Sequence, residues 1–320
     1  MTKAKFDYDK LDPDKTLVLV DAMAMAHRSF YAIPPLSKRG QPTNAVYGFG
    51  STLLHVLDIL KPKHIAVAYD EKGPTIRHEE FKDYKATRTE TPDALKSQFP
   101  LIRELVAALA IPSFSLAGYE ADDIIGALAN QATKQGLKTI IVTGDHDLYQ
   151  LVNDTVWVYN VSRGNQAAEM IDPEAVFEKY GFDPLKIIDY KGLRGDTSDN
   201  IPGVPGVGPK TAKTLIAGFG TVEAMYQELE CETGYRASLK DRGITEKLWQ
   251  KLCEHKDQAI LSKRLATIRT DIPAKLNLPA TVVKDYDEQR AKDFITNWGF
   301  RSLLSRLPSN DPKSEQESLF

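Results

Sequence analysis

The sequence contains only two cysteines, and none of its apolar runs is long enough to cross a membrane. A membrane-spanning helix needs about 18 or more consecutive apolar residues, so such a segment is excluded. The first residues, MTKAKFDYDK, lack the apolar stretch of a secretory signal peptide. Cys231 and Cys253 are too few for a disulfide framework, and we therefore expect a cytoplasmic protein whose cysteines are reduced.

Neither sign of charge is in large excess, because 41 Lys and Arg residues stand against 44 Asp and Glu residues. The chain is therefore not broadly basic, which weakens a simple nucleic-acid interpretation, but the placement of the charges matters more than their sum. Cysteine and histidine residues at zinc-binding spacing are also absent, as is any internal repeat. The length of 320 residues and the hydrophobic fraction of 42% predict an ordinary folded protein of two domains or one large domain.

Short apolar runs rich in β-branched residues alternate with segments of helical periodicity in the first half of the chain. Such alternation predicts βαβ units, and therefore an α/β fold with a mainly parallel sheet covered by helices on both faces. We predict strands at residues 16–21, 64–70, 139–145 and 156–161, and helices at residues 47–60, 99–109 and 120–135.

Beyond about residue 184 the pattern changes to short helices that glycine and proline residues interrupt. This change predicts a second, helical subdomain packed on the sheet. We predict a polar leader at residues 1–15, an α/β core at 16–185 with a charged insertion at about 72–100, a helical subdomain at 186–305 and a flexible tail at 306–320.

Carboxylates recur where the predicted strands end, at Asp21, Asp70 and Asp145. Because the carboxyl ends of parallel strands share one edge of a sheet, we expect these acids to meet in one crevice. Further acids lie beside them or start a helix, and Asp196 and Asp199 have the i,i+3 spacing of one helix face. The complete set is Asp21, Asp70, Glu120, Asp122, Asp123, Asp145, Asp147, Asp196 and Asp199.

Each of these acids taken singly also fits a turn or a helix cap. Together in one crevice they would repel one another, and burying them unpaired is costly, so divalent cations are expected there. Mg²⁺ and Mn²⁺ prefer oxygen ligands, and two such ions about 3.5–4 Å apart form a clamp for phosphodiester displacement. Without the nine acids, 41 basic residues exceed the remaining 35 acidic ones, which suits a polyanionic substrate.

The helix predicted to begin near Glu120 imposes a geometric condition on its first acids. In a regular helix Asp122 would point about 200° away from Glu120. Glu120 must therefore precede the first helical turn if Glu120, Asp122 and Asp123 are to converge.

A glycine-rich hairpin at residues 201–216 is the second informative stretch. Gly203, Gly206 and Gly208 permit a tight turn to which another backbone can approach closely. Pro209 suits the first position of a following helix, whose free N–H groups and nearby lysines favour a phosphate. A plain turn between two helices is the alternative, and the spacing is neither that of a Walker loop nor that of a dinucleotide fingerprint.

The charged insertion combines cations with aromatic residues. Lys85 and Arg88 lie close to Phe81 and Tyr84, a combination that suits single-stranded nucleic acid through base stacking and phosphate contacts. The length of the insertion is typical of a lid or arch beside an active-site crevice. Because acids are nearly as frequent in this segment, a solvated charged face is the alternative.

Several motifs together resemble those of the 5′ nuclease family, and most of all those of the N-terminal 5′→3′ exonuclease domain of bacterial DNA polymerase I. The matching stretches cover about residues 16–308 and include RHEEFKDYKATR, GYEADDIIGALA, VTGDHDLYQL, YKGLRGDTSDNIPGVPGVGPKTA and FRSLLSRLP. The resemblance implies a PIN-like core, a helical arch at about residues 72–100 and a helix–three-turn–helix element at the hairpin. It also implies a 5′→3′ exonuclease and flap endonuclease that acts on 5′-ended or branched DNA in replication and repair.

The resemblance further implies roles for individual residues. One metal ion would be held by Asp70, Glu120, Asp122 and Asp123, with Asp21 close by, and a second metal region would be completed by Asp145, Asp147, Asp196 and Asp199. Lys85 and Arg88 would be catalytic cations that face the scissile phosphate, and a K⁺ ion would bind backbone carbonyls of the hairpin. DNA contacts are implied for Arg28, Arg77, Phe81, Tyr84, Gly203, Gly206, Gly208, Lys210, Thr211 and Lys213.

The chain departs from the family pattern at Ala22, where glycine is frequent, and at His146, where lysine is common. Neither departure removes a carboxylate, and the retained acids argue against the alternative of a catalytically silent DNA-junction binding protein. Whether RNA primers are also substrates stays open. Whether the chain is a stand-alone nuclease or the N-terminal domain of a polymerase stays open as well, and we expect a monomer.

The last residues, 316–320, resemble the QxxLF peptide by which bacterial replication proteins bind the sliding clamp. Leu319 and Phe320 are the only large apolar side chains of a polar tail that cannot fold by itself. The main alternative is a chain end that simply falls within the linker to a polymerase. A chance match is also easy, because the motif is only five residues long.

Overall fold

The computed structural model describes residues 11–161, 168–231, 233–283 and 286–308 of the chain. The strands are β1 (Thr16–Asp21), β2 (Ser37–Lys38), β3 (Gln41–Pro42), β4 (His64–Ala68), β5 (Ser113–Phe114), β6 (Lys138–Thr143), β7 (Val156–Asn160) and β8 (Glu169–Ile171). The helices of the first half are α1 (Ala22–Ala32), α2 (Asn44–Leu60), α3 (Ile76–Glu80), α4 (Asp93–Lys96), α5 (Phe99–Ala108), α6 (Ala121–Lys134) and α7 (Pro173–Tyr180).

The second half of the chain contains helices and short turns. Its helices are α8 (Ile187–Arg194), α9 (Pro209–Phe219), α10 (Val222–Leu229), α11 (Ser238–Asp241), α12 (Glu246–Glu254), α13 (Lys256–Ala266) and α14 (Glu288–Asn297). Short 3₁₀-helices over the whole chain lie at Pro13–Lys15, Asp147–Leu151, Pro184–Lys186, Leu278–Thr281 and Arg301–Arg306.

The centre of the fold is a six-stranded sheet with the strand order β5–β4–β1–β6–β7–β8. Neighbouring strands pair in parallel except for β8, which runs antiparallel to β7. The short strands β2 and β3 form a separate antiparallel hairpin. The predicted mainly parallel sheet is therefore confirmed. Because β4, β1 and β6 are adjacent and parallel, their carboxyl ends meet at one edge of the sheet.

Alternating residues of the central strands face two separate hydrophobic cores. Leu17 and Leu19 of β1 pack with α6 and with α8–α10 on one face of the sheet. Val18 and Val20 pack with α1, α2 and α5 on the other face. Helices therefore cover both faces, as the unbroken apolar run of β1 predicts.

The predicted strands and helices correspond to elements of the structure. The strand expected at residues 16–21 coincides with β1, and the other predicted strands overlap β4, β6 and β7. The predicted helices overlap α2, α5 and α6. The sequence pattern does not reveal α1, whose segment AMAMAHRSFYA lacks a distinct polar face. Strands β5 and β8, with two and three residues, are too short to show alternation.

The chain from α8 to α13 is helical, as predicted, and packs on the face of the sheet that α6 covers. Helix α14 and the turn Arg301–Arg306 return to the opposite face, where Phe294 and Leu303 join the core of α2 and α5. No helix within the described residues is both long and apolar enough to span a bilayer. Residues 1–10 and 309–320, parts of the predicted leader and tail, lie outside the described residues, whereas Leu11 is buried.

The expectation of reduced cysteines is wrong for this structure, because Cys231 and Cys253 form a disulfide bond. Cys231 follows α10 and Cys253 lies in α12. These two helices pack against each other and bring the two cysteine Cα atoms to 5.5 Å. Only this helix packing creates the pairing, so a separation of 22 residues in the sequence gives no sign of it.

Candidate active site

Seven of the nine predicted acids line one cavity of about 380 Å³, here named the acid cavity. It lies at the carboxyl edge of the sheet, where β1, β4 and β6 end and α6 begins. Its acidic residues are Asp21, Asp70, Glu120, Asp122, Asp145, Asp147 and Asp199. For these seven residues the structure confirms that separate strands and loops bring their acids to one crevice.

The strand ends explain how two of these acids are held. Asp21 ends β1 and caps α1, since one carboxylate oxygen accepts a hydrogen bond of 3.0 Å from the Ala24 N–H. The other oxygen accepts a hydrogen bond of 2.9 Å from the Thr143 hydroxyl at the end of β6. Asp70 follows β4 and accepts a hydrogen bond of 2.7 Å from the Ala121 N–H at the start of α6. Both carboxylates are thereby fixed at the wall of the cavity.

Four acids of the cavity, Asp21, Asp70, Asp122 and Asp145, form no ion pair within 4.0 Å with any described residue. Burial and the nearby carboxylates of Asp70 and Asp145 raise the pKa of Asp21 to about 7. Burial, together with the charges of Asp145 and Asp21, raises the pKa of Asp122 well above its usual range. Burial also raises the pKa of Asp70. A cation in the cavity would relieve this concentration of negative charge.

Hard divalent cations fit this donor set, because carboxylate oxygens are ligands that Mg²⁺ and Mn²⁺ prefer. Within the described residues, no three Asp, Glu, His or Cys side chains are placed to enclose an ion by themselves. In proteins, Mg²⁺ commonly keeps several waters and binds through one or two carboxylates. Asp21, Asp70, Asp122 and Asp145 are the acids most available to such ions.

Asp123 points away from the acid cavity, contrary to the expectation that it converges with Glu120 and Asp122. Its carboxylate accepts two hydrogen bonds of 2.7 Å from the Arg77 guanidinium and one of 2.9 Å from the Arg269 N–H. Glu120 precedes the first turn of α6, as predicted, and forms a reciprocal capping box with Asp123. The capping box and the arginine turn the Asp123 side chain inward. Of the three acids at the start of α6, Glu120 and Asp122 therefore line the cavity and Asp123 does not.

Arg77, for which a DNA contact is implied, is instead buried, with 4% of its surface exposed. Besides Asp123, its guanidinium binds the backbone carbonyls of Leu265 and Thr267 at the end of α13. The side chain therefore joins α3 to α6 and to the helical half of the chain, and it is not placed to contact DNA.

The two aromatic residues of the charged insertion are also turned inward. Tyr84 is 3% exposed, and its hydroxyl donates to Glu120 at 3.2 Å and to Asp199 at 3.1 Å. Phe81 is half-buried against the small cluster that contains Tyr84 and Ile201. These contacts attach the insertion to the core. Because both rings face the protein interior, they are not placed to stack on bases.

Lys85 and Arg88, the two implied catalytic cations, line the acid cavity from the charged insertion. The Lys85 ammonium lies 2.6 Å from the Glu120 carboxylate, and the Arg88 guanidinium lies 2.5 Å from that of Asp199. The Lys85 backbone N–H also donates to the Asp199 carbonyl at 2.9 Å. The insertion therefore lies across the cavity, while 49% of the Arg88 side chain stays exposed.

Asp196 and Asp199 do not share a helix face, contrary to the expectation from their spacing. Helix α8 ends just before them, because Gly195 turns the chain with a φ of 76°. Asp199 lines the acid cavity, whereas Asp196 lines an adjoining cavity of about 900 Å³. The two cavities share Asp145 and Asp147 in their walls, so Asp196 lies next to the acid cavity and outside it. Arg28 also lines the adjoining cavity.

The glycines of the hairpin have different surroundings. Gly203 is buried, and a Cβ atom there would lie 2.2 Å from the Gly195 nitrogen, so it serves close packing inside the protein and is not placed to contact DNA. Gly208 is exposed, and a Cβ atom there would have no neighbour within 4 Å. Gly208 caps α9, which begins at Pro209 as the sequence predicts. Lys210 is exposed and follows directly, and Thr211 and Lys213 are half-buried in the same helix.

Two family models match consecutive parts of the chain. Residues 16–181 match the 5′-3′ exonuclease N-terminal resolvase-like domain, and residues 182–289 match the 5′-3′ exonuclease C-terminal SAM fold. The chain belongs to the 5′-3′ exonuclease family. The boundary between the two matches falls close to the change from strands to helices that the sequence shows.

Similar proteins include DNA polymerase I from Bacillus caldotenax, 44% identical over 304 residues that make up 95% of this chain and 33% of that protein. DNA polymerase I from Thermus filiformis is 37% identical over 96% of this chain and 35% of that protein. The chain thus spans about a third of the length of these relatives.

Two solved structures of similar fold are a T5 5′-exonuclease with bound zinc and the catalytic core of Rad2 in complex with a DNA substrate. The first has a TM-score of 0.64 at 21% identity and covers 88% of this chain and 98% of its own. The second has a TM-score of 0.63 at 17% identity and covers 95% of this chain and 96% of its own. Both support the α/β architecture of the exonuclease family for this chain.

Two lysines at or near the site are not identified by the sequence patterns. Lys191 is 8% exposed, and its ammonium pairs with Asp147 and lies 2.5 Å from Asp196. Lys251 of α12 reaches across to the hairpin, where a Cβ atom on Gly206 would lie 2.7 Å from its ammonium. Lys191 precedes Asp196 by five residues in YKGLRGD, and this short spacing could have indicated the ion pair. The residues around Lys251 show no pattern that predicts its contact with the hairpin.

Proposed function

We propose that this chain is a divalent-metal-dependent nuclease that hydrolyses phosphodiester bonds of 5′-ended or branched DNA, as a 5′→3′ exonuclease and a flap endonuclease. Membership of the 5′-3′ exonuclease family supports the reaction class. The observation that carries the proposal is the acid cavity, in which four carboxylates have no cationic partner among the described residues. Such a cavity is suited to cations that neutralise a reacting phosphate.

We propose that Mg²⁺ or Mn²⁺ is the physiological cation and that two or more ions bind. One or two of the carboxylates of Asp21, Asp70 and Asp122, with Glu120 beside them, would bind one ion directly, and the others would bind it through its waters. Asp145 with Asp147, Asp196 and Asp199 would serve a second region in the same way. When bound, these ions would supply charge stabilisation at the phosphate oxygens and an activated water. Asp123 takes no part in this proposal, because its carboxylate is bound to Arg77.

The cations of the insertion provide the second part of the proposed site. Lys85 and Arg88 line the same cavity as the unpaired acids, and their present partners are the carboxylates of Glu120 and Asp199. A phosphate entering the cavity competes with these carboxylates for the two cations. We propose that Lys85 and Arg88 then bind the scissile phosphate and orient it toward the acids, which stabilises the more highly charged transition state.

The hairpin, which follows Asp199 by two residues in the chain, would provide a second contact with the nucleic acid. The exposed N-terminus of α9, with Gly208 and Lys210, offers backbone N–H groups and a positive charge to a duplex phosphate. Lys213 of the same helix and Lys251 beside Gly206 would add positive charge. We propose that this surface sets the register on duplex DNA without reading sequence, and that a K⁺ ion binds hairpin carbonyls there.

Further parts of the proposal concern the wider role of the chain. We propose a monomer in the bacterial cytoplasm, where its DNA substrates are, that acts on flaps, ends and nicks and also on RNA primers. Residues 316–320, which lie outside the described residues, would bind the sliding clamp. The α/β core at 16–185 would carry the chemistry, and the helical subdomain at 186–305 would bind duplex DNA. A catalytically silent DNA-junction binding protein is the alternative.

A cleavage assay on a labelled 5′-flap substrate tests the proposal. The purified chain should release a flap oligonucleotide in the presence of Mg²⁺ and none when EDTA replaces the metal. The matched control is Asp122→Asn, which keeps the shape of the side chain and removes its charge. Binding of the flap by the unmutated chain without cleavage under any divalent metal would favour the silent junction-binding alternative.

A further inference from the structure

A third cavity, of about 390 Å³, lies at the carboxyl end of β7, one strand beyond the acids of β6. We name it the basic cavity because cationic and neutral polar side chains line it: Arg28, Ser51, Thr52, His55, Tyr159 and Arg306. Among the described residues, no aspartate or glutamate lines it. This composition is opposite to that of the acid cavity, although both open at the same edge of the sheet.

The charge of Arg306 is held in place by neutral partners. Its guanidinium donates hydrogen bonds of 2.8 Å to the Ser51 hydroxyl and of 2.8 Å to the Ser51 carbonyl on α2. Within the described part of the chain, no carboxylate pairs with it. The turn that carries it is anchored to α2 by a hydrogen bond of 3.1 Å between Tyr47 and Ser302. Arg306 is therefore positioned before any ligand binds, and no acid of the described residues neutralises its positive charge.

The basic cavity is continuous with the proposed active site. Arg28 of α1 lines both the basic cavity and the adjoining cavity of about 900 Å³. The adjoining cavity in turn shares Asp145 and Asp147 with the acid cavity. The Arg28 side chain crosses the end of β6, where a Cβ atom on Gly144 would lie 3.0 Å from Arg28 Nη1. The three cavities thus follow one another along the carboxyl edge of the sheet.

We propose that the basic cavity binds a backbone phosphate of the nucleic acid at a distance from the scissile bond, with Arg306 and His55 as its ligands. The inference rests on the proposed function, because it needs a polyanionic chain that extends from the acid cavity. Guanidinium and hydroxyl donors without a competing carboxylate are suited to a phosphodiester, and such contacts are independent of sequence. The basic cavity would then hold one arm of a branched substrate while the acids act on another part.

The experiment measures binding of a flap substrate by the full chain at increasing KCl in the Asp122→Asn background, so that no cleavage is needed. Arg306→Gln should lower the slope of log affinity against log salt by about one and weaken binding about threefold to tenfold. The matched control is Arg301→Gln, which removes an exposed charge of the same turn that lies outside the cavity. This control should change neither the salt slope nor the affinity. Equal slopes for Arg306→Gln and Arg301→Gln would overturn the proposal.

A second variant covers the case in which loss of Arg306 disturbs the packing of its turn. His55 is exposed on α2, so His55→Glu leaves the core intact and places a negative charge in the basic cavity. It should weaken flap binding at low salt by about threefold to tenfold through repulsion of the phosphate. Unchanged binding by His55→Glu would contradict the proposal, whether or not Arg306→Gln folds and binds normally.

A series of shortened substrates shows whether the binding defect of Arg306→Gln comes from loss of a local phosphate contact or from a general loss of positive charge. Each arm of the flap substrate is trimmed in turn from its end, with and without a 5′-phosphate. The defect of Arg306→Gln should disappear when one arm becomes too short, and it should not depend on the 5′-phosphate. A defect that persists on every trimmed substrate, or that requires the terminal phosphate, would overturn the backbone-phosphate site. Failure of the proposed function would show separately, as absence of cleavage by the unmutated chain.

Discussion

Asp122 and Asp123 are neighbours in the first turn of α6, but their carboxylates have opposite environments. Asp122 lines the acid cavity without an ion-pair partner among the described residues, and its pKa is raised by burial and by the nearby acids. Asp123 accepts two hydrogen bonds from Arg77, which is itself buried. One carboxylate is thus available to a ligand, whereas the other holds two halves of the molecule together.

The same substitution at these two positions should therefore have opposite effects. Asp122→Asn should lower single-turnover cleavage of a flap at least about 100-fold, since charge stabilisation by bound cations is worth several kcal/mol. It should leave the melting temperature unchanged or higher, because it removes a repelled charge. Asp123→Asn should lower the free energy of unfolding by up to about 3–5 kcal/mol, because buried Arg77 then retains only the more distant carboxylate of Glu120, at 3.5 Å. Cleavage by Asp122→Asn within about tenfold of the unmutated rate would contradict the assignment.

The two groups of cations should affect different steps. Lys85→Ala should reduce the cleavage rate more than the affinity, because its charge lies in the acid cavity and stabilises mainly the transition state. Lys210→Ala should weaken duplex binding and reduce the salt slope by about one, because Lys210 is exposed at the start of α9. Binding titrations and single-turnover rates on the same flap distinguish the two patterns. An identical pattern for both variants would show that this division of roles is wrong.

The hairpin glycines offer a matched pair for stability and binding. Gly203→Ala should lower the free energy of unfolding by more than about 2 kcal/mol, because its φ of 61° and the nearby Gly195 backbone leave no room for a Cβ atom. Gly208→Ala should cost less than about 1 kcal/mol, since φ is −85° and the space is open. Denaturant unfolding measures both. Because Gly208 is proposed to contact DNA, Gly208→Ala should weaken flap binding while the protein remains folded. Unchanged binding by Gly208→Ala would show that Gly208 does not belong to the DNA interface.

Metal binding should be visible as stability, independently of cleavage. Mg²⁺ should raise the melting temperature of the unmutated chain, because an ion that binds only the folded state stabilises it by mass action and relieves repulsion among the acids. The rise should be much smaller in Asp122→Asn, and it should persist in Lys210→Ala, whose substitution lies outside the acid cavity. A thermal scan at fixed ionic strength with and without EDTA measures this. Equal shifts in all three proteins would mean that the ion binds elsewhere.

Much of the fold and of the acid cavity follows from local sequence patterns. The β-branched run at residues 16–21 predicts a buried strand, and Asp21 at its end predicts an acid at the sheet edge. Pro209 after Gly208 predicts the start of a helix, as observed. The predictions of the strand and of its terminal acid use only neighbouring residues and the general geometry of parallel sheets. They can therefore be made without the tertiary structure.

Tertiary structure alone decided which charged side chains face each other. Arg77 and Asp123 are 46 residues apart, and their pairing turns a predicted metal ligand and a predicted DNA contact into a structural crosslink. The pairing of Cys231 with Cys253 likewise depends on the packing of α10 against α12. The sequence by itself determined which elements form and which edge collects the acids, because periodicity and strand ends are local. The direction of each long or charged side chain depended on partners distant in sequence, because a buried charge is stable only where another element supplies its counter-charge.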